Sequence, residues 1–230
     1  MTSTPHPKAR PPADFTGVRE VLAAGEAVVL PNPAPLTHVV TATRSRAVNA
    51  AKGRDARQPV ALWAHHPDTL DTLDRLWDLT PRDRVLARRL LGDEHLTVLL
   101  PLRPGLEGPA WLAPAQKDGW VLLFGARWQP LRPLLDEHPV LYVSSANRTG
   151  HPPATTTEEA LAMFPAAVPV LHLPQPDGGP SRAGRRATTT VRLPPDGRLD
   201  LHRHGAQDRD HGSAGAYLNH LRARYPVTTG

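Results

Sequence analysis

Three short segments carry residue types that can handle an anion. The first is Lys52-Gly53-Arg54-Asp55-Ala56-Arg57-Gln58-Pro59, three cations in six residues leading into an apolar run. A guanidinium is a planar fork and an ammonium a point charge, so this cluster at the lip of a strand can hold phosphates. The same pattern also suits an ordinary exposed basic loop. The second is Ser144-Ser145-Ala146-Asn147-Arg148-Thr149-Gly150, which follows an apolar strand and precedes a helix. Small hydroxyl and amide side chains there can hydrogen-bond a ligand without filling its space, or simply close a polar turn. The third runs from Asp177-Gly178-Gly179-Pro180-Ser181 through Arg182, Arg185 and Arg186 to Thr188-Thr189-Thr190-Val191. Its glycines and cations suit a loop closing over an anion, and its threonines suit a β-strand.

Other chemistries lack a frame. The chain has no cysteine, which excludes disulfides, a thiol nucleophile and thiolate zinc sites. Twelve histidines are present, but neither His65-His66 nor His202, His204 and His211 falls into a metal-ligand spacing. No G-x-S-x-G, Walker A loop or G-x-G-x-x-G occurs, so a nucleotide must be held by another device. The five tryptophans sit in apolar segments or beside Pro and Gly, and read as core or rim packing.

The elements that must position these segments are short. With 27 prolines and 17 glycines in 230 residues, the composition argues against long helical bundles and coiled coils. The net charge of +5 suits anionic partners such as nucleotides or RNA. No apolar stretch is long enough to span a membrane and no apolar signal core opens the chain, so a cytoplasmic protein is expected. Helices are expected over 14–24, 44–51, 67–77, 82–91, 131–137, 155–164 and 216–224. Strands are expected over 27–30, 39–43, 59–65, 95–100, 120–124, 140–143, 168–173, 189–193 and 199–202. Thr155 with Glu158, or Thr156 with Glu159, has capping-box spacing. The interleaving is irregular, which argues for a mixed α/β sheet. Residues 1–13 read as a disordered lead, 14–206 as the domain, and 207–230 as a polar linker with a short helix.

Taken in order, the segments resemble the YrdC-like family, the threonylcarbamoyl-AMP synthases. The K-x-R stretch is similar to Lys52-Gly53-Arg54, and the G-x-L-T strand to His95-Leu96-Thr97-Val98. The arginine before the following helix is similar to Arg127. The S-A-N-x-S-G motif resembles Ser145-Ala146-Asn147-Arg148-Thr149-Gly150. The S-T-V segment resembles Thr189-Thr190-Val191, and R-x-G resembles Arg203-His204-Gly205. The resemblance implies an open, twisted mixed sheet with flanking helices around a basic cavity. It implies a nucleotidyltransferase that joins an amino acid (L-threonine in the family), bicarbonate and ATP, with its Mg2+, into a carbamoyl-adenylate and pyrophosphate, serving tRNA modification. RNA is a further candidate partner. On this resemblance Lys52 and Arg54 are catalytic, and Ser145, Asn147, Thr189 and Arg203 bind the nucleotide. Asn32 and Arg127 bind the amino acid.

One stretch departs from the family. Where P-T-[DE]-T-x-Y-G-L is usual, this chain has Pro31-Asn32-Pro33-Ala34-Pro35-Leu36-Thr37-His38. The stretch helps form the family's amino-acid pocket, so threonine is expected to be a poor substrate. The alternatives are a diverged paralogue with another amine substrate, and a nucleotide- or RNA-binding module without turnover.

Overall fold

The computed structural model describes residues 10–174 and 184–226. The expected anion-closing loop at Asp177–Arg182, and residues 1–9 of the lead, lie outside them. Helix α1 (Phe15–Ala23) starts at Asp14, whose carboxylate accepts from the Gly17 N–H. It buries Val18 and Leu22. Strands β1 (Val28–Leu30) and β2 (Val39–Ala42) are antiparallel neighbours. Helix α2 (Ser45–Lys52) ends at Gly53, whose φ of 65° turns the chain sharply without steric cost. Strand β3 (Ala61–Trp63) follows, then α3 (Pro67–Leu76) and α4 (Pro81–Gly92), each opened by a proline where an N–H would be unpaired anyway. Strands β4 (Thr97–Pro101), β5 (Gln116–Lys117) and β6 (Trp120–Phe124) come next. After them lie α5 (Arg132–Leu135), β7 (Tyr142–Ser145) and α6 (Thr157–Met163). The chain ends with β8 (Thr190–Arg192), β9 (Asp200–Arg203) and α7 (Ala214–Arg224).

The strands form one mixed sheet in the order β1-β2-β7-β3-β6-β4-β8-β9, with β5 paired to β6. The pairs β3/β6 and β4/β8 are parallel and the others antiparallel. Alternation along the strands sends side chains to two different layers. On one face Leu62, Val98, Leu100, Val121, Leu123 and Val191 pack against α2, α3, α4, α6 and α7. On the other, Val28, Val39, Trp63, Phe124 and Val143 pack against α1 and α5. A cavity opens on this face over β2, β7, β3 and β6.

The expected elements are found with shifted ends, except over 168–173. There the chain makes only isolated bridges, Val29 to Val170 and Ala13 to Leu171. Pro169 has no N–H to give a ladder. The capping box at α6 uses Thr156, which accepts from the Glu159 N–H, while the Glu159 carboxylate returns to the Thr155 N–H. Near the N-terminus, Arg10 donates to the Pro165 carbonyl and the Ala13 N–H to Val170. The C-terminal helix joins the main core through Tyr217 and Leu221.

Candidate functional site

The site begins at the end of α2. Asn49, on that helix, donates to the carbonyls of Ala56 and Gln58 and accepts from Arg54 Nε at 2.6 Å. One buried amide thus folds the 54–58 loop back over the helix end and fixes the direction of the Arg54 guanidinium. Arg54 Nη2 is buried and has no partner. Lys52 turns the other way. Its Nζ donates to the Ser145 carbonyl at 2.5 Å, the Asn147 carbonyl at 2.9 Å and Asn147 Oδ1 at 2.8 Å. The Thr149 N–H and hydroxyl both donate to the Lys52 carbonyl. Two segments more than ninety residues apart are locked together by these bonds.

Asn147 is fully engaged. Its Oδ1 accepts from Lys52 and from the Ser145 hydroxyl, and its Nδ2 donates to the carbonyls of Arg148 and His151. It is the pivot of the turn. Burial, and then the neighbouring Arg54, push the Lys52 amine down to about 7. The three oxygens around Nζ act in the opposite sense, because they satisfy all three ammonium donors.

Arg203 enters from β9. The chain can place it because Gly205 lies against the backbone of Thr188 and Thr189. A Cβ at Gly205 would meet the Thr189 nitrogen at 2.2 Å. Asp208 pins this crossing. It accepts from the Gly205 N–H at 2.7 Å and the Thr189 hydroxyl at 2.6 Å, and it pairs with His204. Burial pushes the Asp208 carboxyl up, but the bonds from Thr189, His204 and Gly205 outweigh it and the net direction is down. Arg203 itself makes one weak bond, Nη2 to the Thr188 carbonyl at 3.3 Å.

Arg54, Arg203, Ser145 and Asn32 line one cavity of about 210 Å³, together with Thr37, Thr97 and Thr188. Its apolar wall is Leu36, Val39, Ala61, Leu122, Phe124 and Val143. Among the described residues, no carboxylate lines it. Burial lowers the pKa of both arginines, so each guanidinium stands in a site that disfavours an uncompensated charge.

The sequence-derived assignments divide accordingly. Arg54, Ser145, Arg203 and Asn32 meet in the cavity. Lys52 and Asn147 sit behind it, spending their polar atoms on each other and on the turn. Thr189 does not line the cavity, because it is fully buried and its hydroxyl is committed to Asp208. Thr188 stands there instead, its hydroxyl against that of Thr97. Arg127 also lies elsewhere, past the C-terminal end of β6. There it donates to the Ala64 carbonyl at 2.9 Å beside the buried His65, which burial and its charged neighbours push down to about 3. Asn49 carries no motif signal, and its role emerges only once the loop closes on it.

The departing stretch is sealed from within. The Leu36 N–H donates to Pro33, Thr37 to Arg186 and His38 to Ala154. Asn32 Nδ2 donates to the Thr37 carbonyl, and Arg185 to the Leu36 carbonyl. His38 is buried with both ring nitrogens unpartnered, and burial followed by Arg185 pushes it down to about 4.

The Sua5/YciO/YrdC family model, described as "Telomere recombination", matches residues 20–205. Among solved structures, P. abyssi Sua5 complexed with L-threonine superposes with a TM-score of 0.60 at 20% identity, over 82% of this chain and 53% of that one. E. coli YciO gives 0.59 at 14% identity over 84% and 90%. Full-length HypF in its phosphate- and nucleotide-bound form gives 0.58 at 17% identity over 85% and 29%. The chain spans about half the length of the Sua5 chain it matches. At these identities the likeness is one of fold. No curated protein matches in sequence.

Proposed function

From a chain that belongs to the Sua5/YciO/YrdC family and holds in one cavity two arginines whose partners among the described residues are neutral, we propose a nucleotidyltransferase that joins ATP to a carbamate. The amine of a small amino acid adds to the carbon of bicarbonate, giving the carbamate with loss of water. A carbamate oxygen then attacks the α-phosphorus. The bond from that phosphorus to the oxygen bridging to the β-phosphate breaks, and pyrophosphate leaves. Such a displacement asks for little covalent help from protein; positioning and cations do most of it. Arg54 and Arg203 would donate to phosphate oxygens, and the Ser145 hydroxyl would orient the nucleotide. Lys52 would add charge from behind the Ser145–Asn147 turn. Magnesium would arrive on the ATP as part of the substrate.

The observation that carries this reading is Arg54 Nη2, a buried donor with no partner among the described residues, at the wall of a cavity that no described carboxylate lines. A polyanion supplies what it lacks. The L-threonine bound by P. abyssi Sua5 and the nucleotide bound by HypF support the two substrate classes. A product of this kind would be passed to an RNA-modifying step. Pyrophosphate release from ATP, measured with bicarbonate and a panel of amino acids, tests the proposal. Release that requires both bicarbonate and an amine is expected. ATP binding without release for any amine would favour the second reading, a nucleotide-binding module, which the sealed Asn32–His38 stretch makes a real competitor.

A further inference from the structure

The face of the sheet that carries the cavity is only half covered. On the helix-packed face, Val98, Leu100, Val121 and Leu123 are fully buried. Their strand neighbours Leu99, Trp120 and Leu122 point the other way and remain partly open. The register sets Ala61, Leu122, Leu99 and Arg192 in one row across β3, β6, β4 and β8. Ala61 and Leu122 line the cavity. The row therefore continues the cavity floor outward to the half-buried Leu99. At its end the Arg192 guanidinium lies 3.9 Å over the Trp120 ring.

We propose that this Trp120–Arg192 stack, with Leu99 and Leu122 beneath it, receives the purine base of the nucleotide whose phosphates the cavity arginines hold. The inference rests on the nucleotide reading above. Three observations support it. The cavity of about 210 Å³ is smaller than the ~300–1,000 Å³ of ordinary ligand pockets, so a nucleotide must extend beyond it. Arg203 lies opposite Thr190 on β8, and Arg192 is two residues further along that strand, or ~7 Å. That span suits a ribose between phosphate and base. The stack also offers what a base needs: a flat π-face, a cation that stacks on rings, and an apolar floor. The sequence reading of Trp120 as core or rim packing changes with this, because its half-buried ring would continue a ligand cavity rather than seal a core.

The experiment compares ATP, AMP and inorganic pyrophosphate by calorimetry on the full chain and on Trp120→Ala and Arg192→Ala. ATP and AMP are expected to bind the variants about fivefold to a hundredfold more weakly, the scale of losing one base–aromatic contact, with pyrophosphate affinity unchanged. AMP should also quench the fluorescence of the native protein more than that of Trp120→Phe, a variant that keeps a ring at this position. Equal losses for all three ligands, or no loss for ATP and AMP while pyrophosphate still binds, would overturn the base site and leave the phosphate site standing. If the native chain binds neither ATP nor pyrophosphate, the nucleotide reading itself fails and the base site falls with it.

Discussion

Lys52 shows how a single side chain couples the two motifs. A buried ammonium that spends three donors on the Ser145–Asn147 turn holds that turn in place, and its charge stands one side-chain layer behind the cavity. With the amine brought down from 10.5 to about 7, the free protein exchanges a proton there near neutrality. A bound polyphosphate favours the ammonium, so binding takes up a proton when the pH lies above 7. Affinity for ATP is therefore expected to fall as the pH rises from 7 towards 9, and to be nearly flat just below 7 apart from the titration of ATP itself. Lys52→Arg keeps the charge at every pH, because guanidinium does not titrate in this range. Its binding curve should lose the fall above 7. A parallel decline in native protein and Lys52→Arg, measured by calorimetry across the range, would remove Lys52 as the titrating group. Thr189 is a residue of a different kind. Its hydroxyl bonds the Asp208 carboxylate and accepts from the N–H groups of Gln207 and Asp208. Thr189→Val should cost on the order of 3 kcal/mol of stability, from a lost charged hydrogen bond and stranded donors. A weaker ATP affinity with an unchanged denaturation midpoint would instead return Thr189 to the nucleotide pocket.

At the scale of elements, the proposed function makes the stretch from Pro31 to His38 the part that would decide which amine is accepted. Pro33 and Pro35 have no N–H, and the N–H groups of Leu36, Thr37 and His38 are all taken by carbonyls of the protein. His38 is neutral at physiological pH and carries no charge for a carboxylate. The stretch presents Leu36 and the Thr37 hydroxyl to the cavity, beside Asn32. Loss of one or two hydrogen bonds to charged substrate groups, at ~1.5–3 kcal/mol each, lowers threonine use by about tenfold to more than a thousandfold. A side-by-side measurement of threonine-dependent pyrophosphate release against a relative with the intact stretch checks this. Equal kcat/KM would mean that other residues rebuild the pocket. This departure was readable in the sequence because prolines remove donors wherever they stand. The Thr188–Thr190 run was not readable in the same way. Successive side chains in an extended run point to opposite sides, and a shift of one residue exchanges cavity for core. The Gly205 crossing, the bond from Thr189 to Asp208 and the pairing with β4 set the phase, and all depend on residues brought together from a distance. The position of Arg127 was not readable for a related reason. Its place past β6 follows from where the strand ends and the chain turns to the Ala64 carbonyl, which spacing alone does not encode.

Across the whole molecule, two groups of arginines differ in what they pair with. Arg19, Arg84, Arg88, Arg89, Arg132 and Arg224 pair with carboxylates on or beside the helices. Arg54 and Arg203, which line the cavity, have only neutral partners among the described residues. A net charge of +5 does not describe the local field at the cavity, where both lining arginines stand without a described carboxylate beside them. Field lines from such a cleft concentrate a polyanion at its mouth. The two groups should respond oppositely to mutation. Arg54→Ala and Arg203→Ala are each expected to weaken pyrophosphate binding by ~1.5–3 kcal/mol, about tenfold to a hundredfold, since each removes charged donors from a poorly solvated site. Arg88→Ala removes a bridge to Asp71 and Asp74 on the helix layer. It should change stability by no more than ~1 kcal/mol and leave pyrophosphate affinity unaltered. Raising the salt should weaken binding to the native protein, and the dependence should be shallower in Arg54→Ala and Arg203→Ala, which carry one cation fewer at the mouth. Calorimetric titrations at several ionic strengths separate the outcomes. If Arg88→Ala weakens pyrophosphate as much as Arg203→Ala does, the attraction belongs to the overall charge of the chain, and the cavity is not where the anion is held.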